Sequence, residues 1–137
     1  MKKILVGFMA IFAILMTGCS EISTMTQKEP VVLTPKTVKK GEFTFVIPAN
    51  FVLEENKSLI YEIKDQIRAY LVYTGKGSLD DLVTFFNEYL YKLGWNRESK
   101  LVGEEAILAY SRNDQLIVIR IRPKFQITQI EFMLTKK

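Results

Sequence analysis

Histidine is absent from this chain of 137 residues, and cysteine occurs once, at Cys19. Without an imidazole, neither a Ser-His-Asp triad nor a Cys-His pair can form, so these nucleophilic mechanisms are excluded. An ordinary zinc site is excluded too, because such sites need imidazole or several thiolates. A lone cysteine forms no disulfide within the chain, so the stability of the fold has to come from packing. We therefore expect a non-enzymatic protein without catalytic residues, metal or cofactor.

Carboxylates are the remaining candidates for acid-base chemistry. The 15 acidic residues include adjacent pairs at residues 54–55, 80–81 and 104–105. All three pairs lie beside predicted turns or at a predicted helix start, where solvated charges are common. A hydrolase would instead need two carboxylates that converge in a cleft and have shifted pKa values. We do not expect any of the three pairs to be catalytic.

The excess of positive charge is small. The formal net charge is +4 and falls by two without residues 1–18, which contain Lys2 and Lys3. Nucleic-acid binding needs a dense basic patch, which so small an excess does not provide. We expect no nucleic-acid partner.

Long apolar runs are also missing. The apolar segment at residues 4–16 is shorter than the roughly 20 residues that a membrane-spanning helix requires. It follows Lys2 and Lys3 and precedes the small residues Thr17 and Gly18. A basic start, a short apolar run and a small-residue cleavage site form the layout of an export signal.

The motif Leu15-Met16-Thr17-Gly18-Cys19 resembles the lipobox of bacterial lipoproteins. The resemblance implies that residues 1–18 are a signal peptide and that Cys19 carries a diacylglycerol and, on its new amino group, a further acyl chain. Each buried methylene contributes about 0.8 kcal/mol, so two or three chains anchor a protein firmly. Two alternatives are an uncleaved N-terminal anchor and a core helix.

The lipobox resemblance also implies a location. The protein is expected at the cell membrane or the outer membrane, with its domain facing the periplasm or the cell exterior. In Gram-negative lipoproteins an aspartate after the cysteine is the usual signal for retention in the inner membrane, and here Ser20 occupies that position. The resemblance therefore implies outer-membrane sorting in such a cell.

The mature chain divides into a tether and one domain. Residues 19–42 are rich in hydroxyl and charged side chains, contain two prolines and show no sustained period, which is typical of a flexible tether. As an alternative, residues 31–33 form an edge strand. Residues 43–137 have the size of a single compact domain.

The domain is predicted to have an α+β fold: an antiparallel sheet of about five to seven strands with one amphipathic helix packed on one face. The helix covers residues 78–93, with Ser78 as its N-cap and Gly94 as its stop. Alternating or apolar segments predict the strands, at residues 43–47, 59–63, 67–73, 98–102, 106–111, 116–121 and 127–134.

Two-residue alternation separates the faces of this sheet. Ile117, Ile119 and Ile121 share the face that should meet the helix. Ile130, Phe132 and Leu134 fall on that face too, as do the alternate residues of the segment 67–73. The opposite face is predicted to bind a partner and to contain Arg68, Tyr70, Val72, Leu116, Val118, Arg120 and Arg122, joined by Leu108 and Tyr110. Arginine and aromatic side chains among aliphatic ones are typical of protein-binding patches. The alternative is an ordinary sheet surface, or one covered by residues 31–33 and 51–53.

A second resemblance concerns the domain itself. The segments at residues 69–75, 82–86, 94–95, 107–110 and 117–121 are similar in spacing to small, functionally uncharacterised bacterial lipoprotein domains, and this similarity implies no catalytic residues.

The leading hypothesis is a membrane-anchored cell-envelope lipoprotein, a non-enzymatic binding or structural module that binds another envelope protein, a glycan strand or a second copy. The alternative is a carrier of a small apolar ligand or lipid in a cavity lined by Tyr73, Phe86, Tyr89 and Trp95.

Overall fold

The computed structural model describes residues 32–64 and 66–136, without the side chains of Gln66 and Ile67. Cys19 and the predicted signal peptide therefore lie outside the described residues. The described strands are β1 (Pro35–Lys40), β2 (Phe43–Pro48), β3 (Val52–Leu53), β4 (Leu59–Ile63), β5 (Gln66–Gly75), β6 (Asn96–Val102), β7 (Ala106–Arg112), β8 (Gln115–Pro123) and β9 (Thr128–Lys136). A 3-10 turn (Glu55–Lys57) precedes β4, and the helix α1 (Leu79–Lys92) lies between β5 and β6.

Seven of these strands form one antiparallel sheet with the order β3-β5-β9-β8-β7-β6. Strand β4 also pairs with β5, on the same edge as β3 and opposite β9. Strands β1 and β2 form a separate antiparallel hairpin. The domain is therefore an α+β fold with a single helix against a mostly antiparallel sheet, and the predicted fold class is confirmed.

The ends of α1 follow the capping signals in the sequence. The Ser78 side chain accepts a hydrogen bond from the backbone N–H of Asp81, which satisfies one of the free donors of the first turn. Gly94 has a φ of +89°, a left-handed conformation that glycine adopts without a Cβ clash. The backbone N–H of Trp95 donates to the Leu90 carbonyl, and this bond closes the helix end.

The core lies between the sheet and a layer made of α1 and β2. The predicted helix-facing residues of β8 and β9 are buried in it. The Phe132 ring of β9 lies 5.7 Å from Phe86 on α1 and 5.0 Å from Phe45 on β2, between ring centroids. The β1-β2 hairpin and the helix therefore both pack on this face of the sheet, whereas the sequence predicted that the helix alone would cover it.

Strand β1 lies inside the segment that the sequence predicted as tether. It pairs with β2 from Pro35–Pro48 to Lys40–Phe43. The turn between them contains Gly41 at a φ of +58°. Because Lys36, Lys39 and Lys40 dominate its sequence, the strand lacks an apolar alternation, yet Val38 packs against the core.

Within residues 32–64 and 66–136, no helix has the length and apolar character needed to cross a membrane.

Candidate functional site

The face of the seven-stranded sheet opposite α1, called here the open face, carries two rows of side chains. Directly paired residues on neighbouring strands point to the same side of a sheet. One row runs from Tyr70 through Met133 and Val118 to Ala109, across β5, β9, β8 and β7. This row is apolar except for the phenol group of Tyr70.

The neighbouring row adds charge. Glu131 of β9 pairs with Arg120 of β8, which pairs in turn with Ile107 of β7. Together the two rows border a shallow depression of about 470 Å³. It is lined by Tyr70, Ile107, Val118, Arg120, Arg122, Glu131 and Met133. Met133 is 52 % exposed and Ile107 38 % exposed, so apolar surface lies open between charged groups.

Two arginines and two glutamates form a network at one side of this depression. Arg120 Nε donates to Glu105 Oε2 over 2.9 Å. Arg122 Nη1 lies 3.4 Å from Glu131 Oε1, and Arg122 Nε lies 3.4 Å from Glu105 Oε1 without hydrogen-bond geometry. Gln129 Nε2 donates to the same Glu131 oxygen over 2.9 Å. Arg122 therefore bridges two carboxylates at long range instead of pairing tightly with one.

The network shifts the pKa values of its members. The hydrogen bond from Arg120 lowers the pKa of Glu105. The hydrogen bond to Glu131 raises the pKa of Arg122. Burial raises the pKa of the Tyr70 phenol, and the Glu131 carboxylate raises it further. At neutral pH the face thus presents charged arginines beside a neutral phenol that can donate a hydrogen bond.

Four of the seven residues predicted for a binding face line the depression: Tyr70, Val118, Arg120 and Arg122. Arg68 and Leu116 are half-buried and do not line it. Within the described residues, the Arg68 Nε atom has no hydrogen-bond partner.

The prediction that Val72 belongs to a binding face was wrong, because its side chain is 1 % exposed and offers no surface to a partner. Its backbone N–H donates to Ser58 Oγ, and its carbonyl accepts from the Glu54 N–H. The chain between β3 and β4 is thereby held against this part of β5.

The prediction that Leu108 and Tyr110 belong to this face was wrong. They pair with Ile119 and Ile117 and are buried in the core. A shift of one residue in register moves every side chain of a strand to the other face, and the alternation within β7 alone does not fix that register. Ile107 occupies the open face instead.

Met133 and Glu131 were missed, although β9 contains the signal for both. They alternate with Ile130, Phe132 and Leu134, which were assigned to the helix-facing side. By the two-residue period, the intervening residues face the opposite way.

The three adjacent carboxylate pairs lie in separate parts of the domain and have different surroundings. Glu54 accepts a hydrogen bond from Thr74 Oγ1 over 2.8 Å, and Glu105 pairs with Arg120. Asp80 and Asp81 lie exposed in the first turn of α1, where carboxylates stabilise a helix. No group of three or more Asp, Glu, His or Cys suited to a metal ion occurs among residues 32–64 and 66–136.

Three of the four aromatic residues predicted to line a ligand cavity pack against other aromatic rings. Tyr73 and Phe86 each pack edge-on against Phe132, at centroid distances of 5.5 and 5.7 Å. The ring centroid of Tyr89 lies 4.9 Å from that of Phe85. Trp95 is buried in the same core. These rings fill space between helix and sheet that a carried ligand would need.

Comparison with known proteins gave no match, whether to a family model, to a curated protein or to a solved structure.

Proposed function

We propose that this protein is a lipid-anchored module of the bacterial cell envelope, and that its open face docks one other envelope protein. The module catalyses no reaction. Cys19 supplies the anchor, and the depression around Val118 and Met133 supplies the docking surface.

The observation that carries the docking proposal is the composition of the depression. Exposed aliphatic side chains lie beside two arginines and a tyrosine. Arginine, tyrosine and methionine are enriched at protein interfaces, and arginine and tyrosine combine apolar contact area with hydrogen-bonding groups.

The charge of the face indicates the chemistry of the partner. Arg120 and Arg122 at the depression pair with two carboxylates, Glu105 and Glu131, and Arg68 lies on the same face without an ion pair among the described residues. The partner is therefore expected to present apolar side chains next to an acidic group. Arginine donates in a planar fork that suits a carboxylate.

The anchor proposal is supported by the lipobox resemblance at residues 15–19. Attachment to a membrane would concentrate the domain close to other envelope proteins and favour a docking contact of modest affinity.

Site-specific photo-crosslinking in the native envelope tests the docking face. A photoreactive amino acid is placed at Val118 or at Met133, and Tyr91 on the exposed side of α1 serves as the control position. We expect both open-face positions to capture the same protein and Tyr91 to capture none of it. Capture from Tyr91 with equal yield, or different proteins from the two open-face positions, would contradict a defined docking face.

Removal of a charge provides a second arm. Arg120→Gln should reduce the capture of that protein by the photoreactive residue at position 133, because the acidic group of the partner protein then lacks the arginine that would bind it. Lys92→Gln removes the same charge from the exposed surface of α1 and should leave capture unchanged. If the two variants behave alike, the arginines do not recognise the partner.

A further inference from the structure

The two outer edges of the seven-stranded sheet differ in a way that the proposed docking face does not explain. Strand β6 forms one edge and contains Arg97, Glu98 and Lys100. Its pairing with β7 is interrupted by a register shift between Arg97 and Ser99. Charged side chains and bulges on an edge strand discourage other chains from adding to the sheet. The β6 edge is thus protected.

Strand β4, at the other edge, carries only one charged side chain, that of Glu62. It reads Leu59-Ile60-Tyr61-Glu62-Ile63 and pairs with β5 without a register shift. Its four apolar side chains are between 42 % and 60 % exposed. Within the described residues, β4 pairs with β5 alone, so the backbone groups on its outer edge lack a strand partner. Such an edge is a template for strand addition.

We propose that the occupant of this edge is β4 of a second copy of the chain, paired antiparallel about a two-fold axis at Tyr61. The strand is self-complementary in this register. Leu59 lies opposite Ile63 of the second copy, and the two Tyr61 side chains lie opposite each other. Glu62 lies opposite Ile60, so the two glutamates never face one another. A two-fold axis requires this kind of self-matching surface.

Neighbouring registers are less favourable. A shift by two residues toward the C-terminus places Glu62 opposite Glu62, and like charges directly opposite destabilise a strand pair. The opposite shift pairs Ile60 with Ile60 but places Ser58, which lies outside the strand, opposite Glu62. The register centred on Tyr61 pairs all five residues of both strands.

The dimer joins the two sheets edge to edge and leaves both open faces on the same side. A ladder of five residues buries less than the roughly 1,200 Å² of a standard stable interface. The association is therefore expected to be weak in dilute solution and to increase as the copies are concentrated, as on a membrane surface.

Disulfide trapping tests the register. Each variant is the full chain with Cys19 retained and is oxidised in the membrane fraction, where the proposed lipid blocks the Cys19 sulfur and keeps the copies concentrated. Tyr61→Cys should form a disulfide-linked dimer under mild oxidation. Ile63→Cys should not form one. In the proposed register the two residues at position 63 are offset by four residues along the strands, so their Cα atoms would be about 13 Å apart. A disulfide spans at most about 7 Å between Cα atoms. Ser99→Cys on β6 gives the background level. A Tyr61→Cys dimer no more abundant than this background would overturn the proposal.

Two charge substitutions at Ile60 test the pairing. Both variants place a charge at the same exposed position, so a difference between them cannot be explained by a general loss of folding. Ile60→Glu puts a second glutamate opposite Glu62 of the other copy and should abolish trapping through Tyr61→Cys. Ile60→Lys puts a lysine opposite that glutamate and should retain trapping. Equal yields from the two variants, or dimers trapped through Ile60→Cys in preference to Tyr61→Cys, would overturn this register and with it the proposal.

Discussion

The indole Nε1 of Trp95 donates a hydrogen bond to the backbone carbonyl of Thr44 over 2.9 Å, across 51 residues of sequence. Trp95 follows the end of α1, and Thr44 lies in β2. The Arg112 guanidinium lies over the indole ring, with its Cζ 4.8 Å from the ring centroid. One buried side chain therefore connects the helix end, the hairpin and β7.

Trp95→Ala should lower the free energy of unfolding by about 3 to 5 kcal/mol, the range for truncation of a buried large aromatic residue. The loss combines a cavity with the removal of the bond to Thr44. Trp95→Phe keeps most of the apolar volume and should cost distinctly less. Urea denaturation of both variants measures these differences, and an unchanged midpoint for Trp95→Ala would show that the indole does not stabilise the domain.

Gly94→Ala should destabilise the domain by about 1 to 2 kcal/mol, because a Cβ is unfavourable in a left-handed conformation. An added Cβ would meet only Arg112 Cδ, at 3.7 Å, so the expected cost comes from the residue's own backbone and not from a neighbouring side chain. Gly103→Ala is the matched control, since a Cβ there meets nothing within 4 Å. Its effect should stay within about 0.5 kcal/mol. Thermal or urea unfolding that ranks the two variants in the reverse order would refute this explanation.

Tyr110 should make stability depend on pH in the alkaline range. Its hydroxyl donates to Asn87 Oδ1 over 2.6 Å, and burial raises the pKa of the phenol from 10.0 to about 12. The folded state therefore holds the proton more tightly than the unfolded state. The stabilisation is complete below about pH 10 and is lost as the pH rises toward about 12.

Tyr110→Phe should show a shallower loss of stability in that window, and at neutral pH it should be about 1 kcal/mol less stable through the missing hydrogen bond. The free energy of unfolding is measured by urea titration at several pH values. Tyr91→Phe, on the exposed side of α1, controls for the removal of a tyrosine. Identical slopes for wild type and Tyr110→Phe would mean that this phenol titrates equally in both states.

Cys19→Ala should release the protein from the membrane fraction, because the proposed acyl chains would then have no attachment site. Fractionation after a high-salt wash measures this, since salt removes electrostatic contacts but not lipid anchors. Cys19→Ser should behave in the same way. Either variant remaining in the washed membranes would mean that another segment holds the protein there.

The helix and most strands could be predicted because local signals determine them. Ser78 and Gly94 mark the ends of α1 through chemistry that needs no distant partner. Strand β1 could not be predicted in the same way. Its lysines carry no apolar period, and it becomes a strand only because β2 presents a backbone edge to it.

The open face could be predicted in part. Alternation within β8 places Val118 and Arg120 opposite the buried isoleucines, and this assignment agrees with the structure. The position of β7 depends on its register with β8, which is a property of two strands and not of one. For that reason Leu108 was assigned to the wrong face and Ile107 was overlooked.

The lipid anchor proposed for Cys19 is tested by mass spectrometry of the protein purified from its native envelope. We expect a chain that begins at Cys19 and carries a diacylglycerol on sulfur, with a further acyl chain on the amino group. A product that retains Met1 and has an unmodified thiol at Cys19 would refute the proposal.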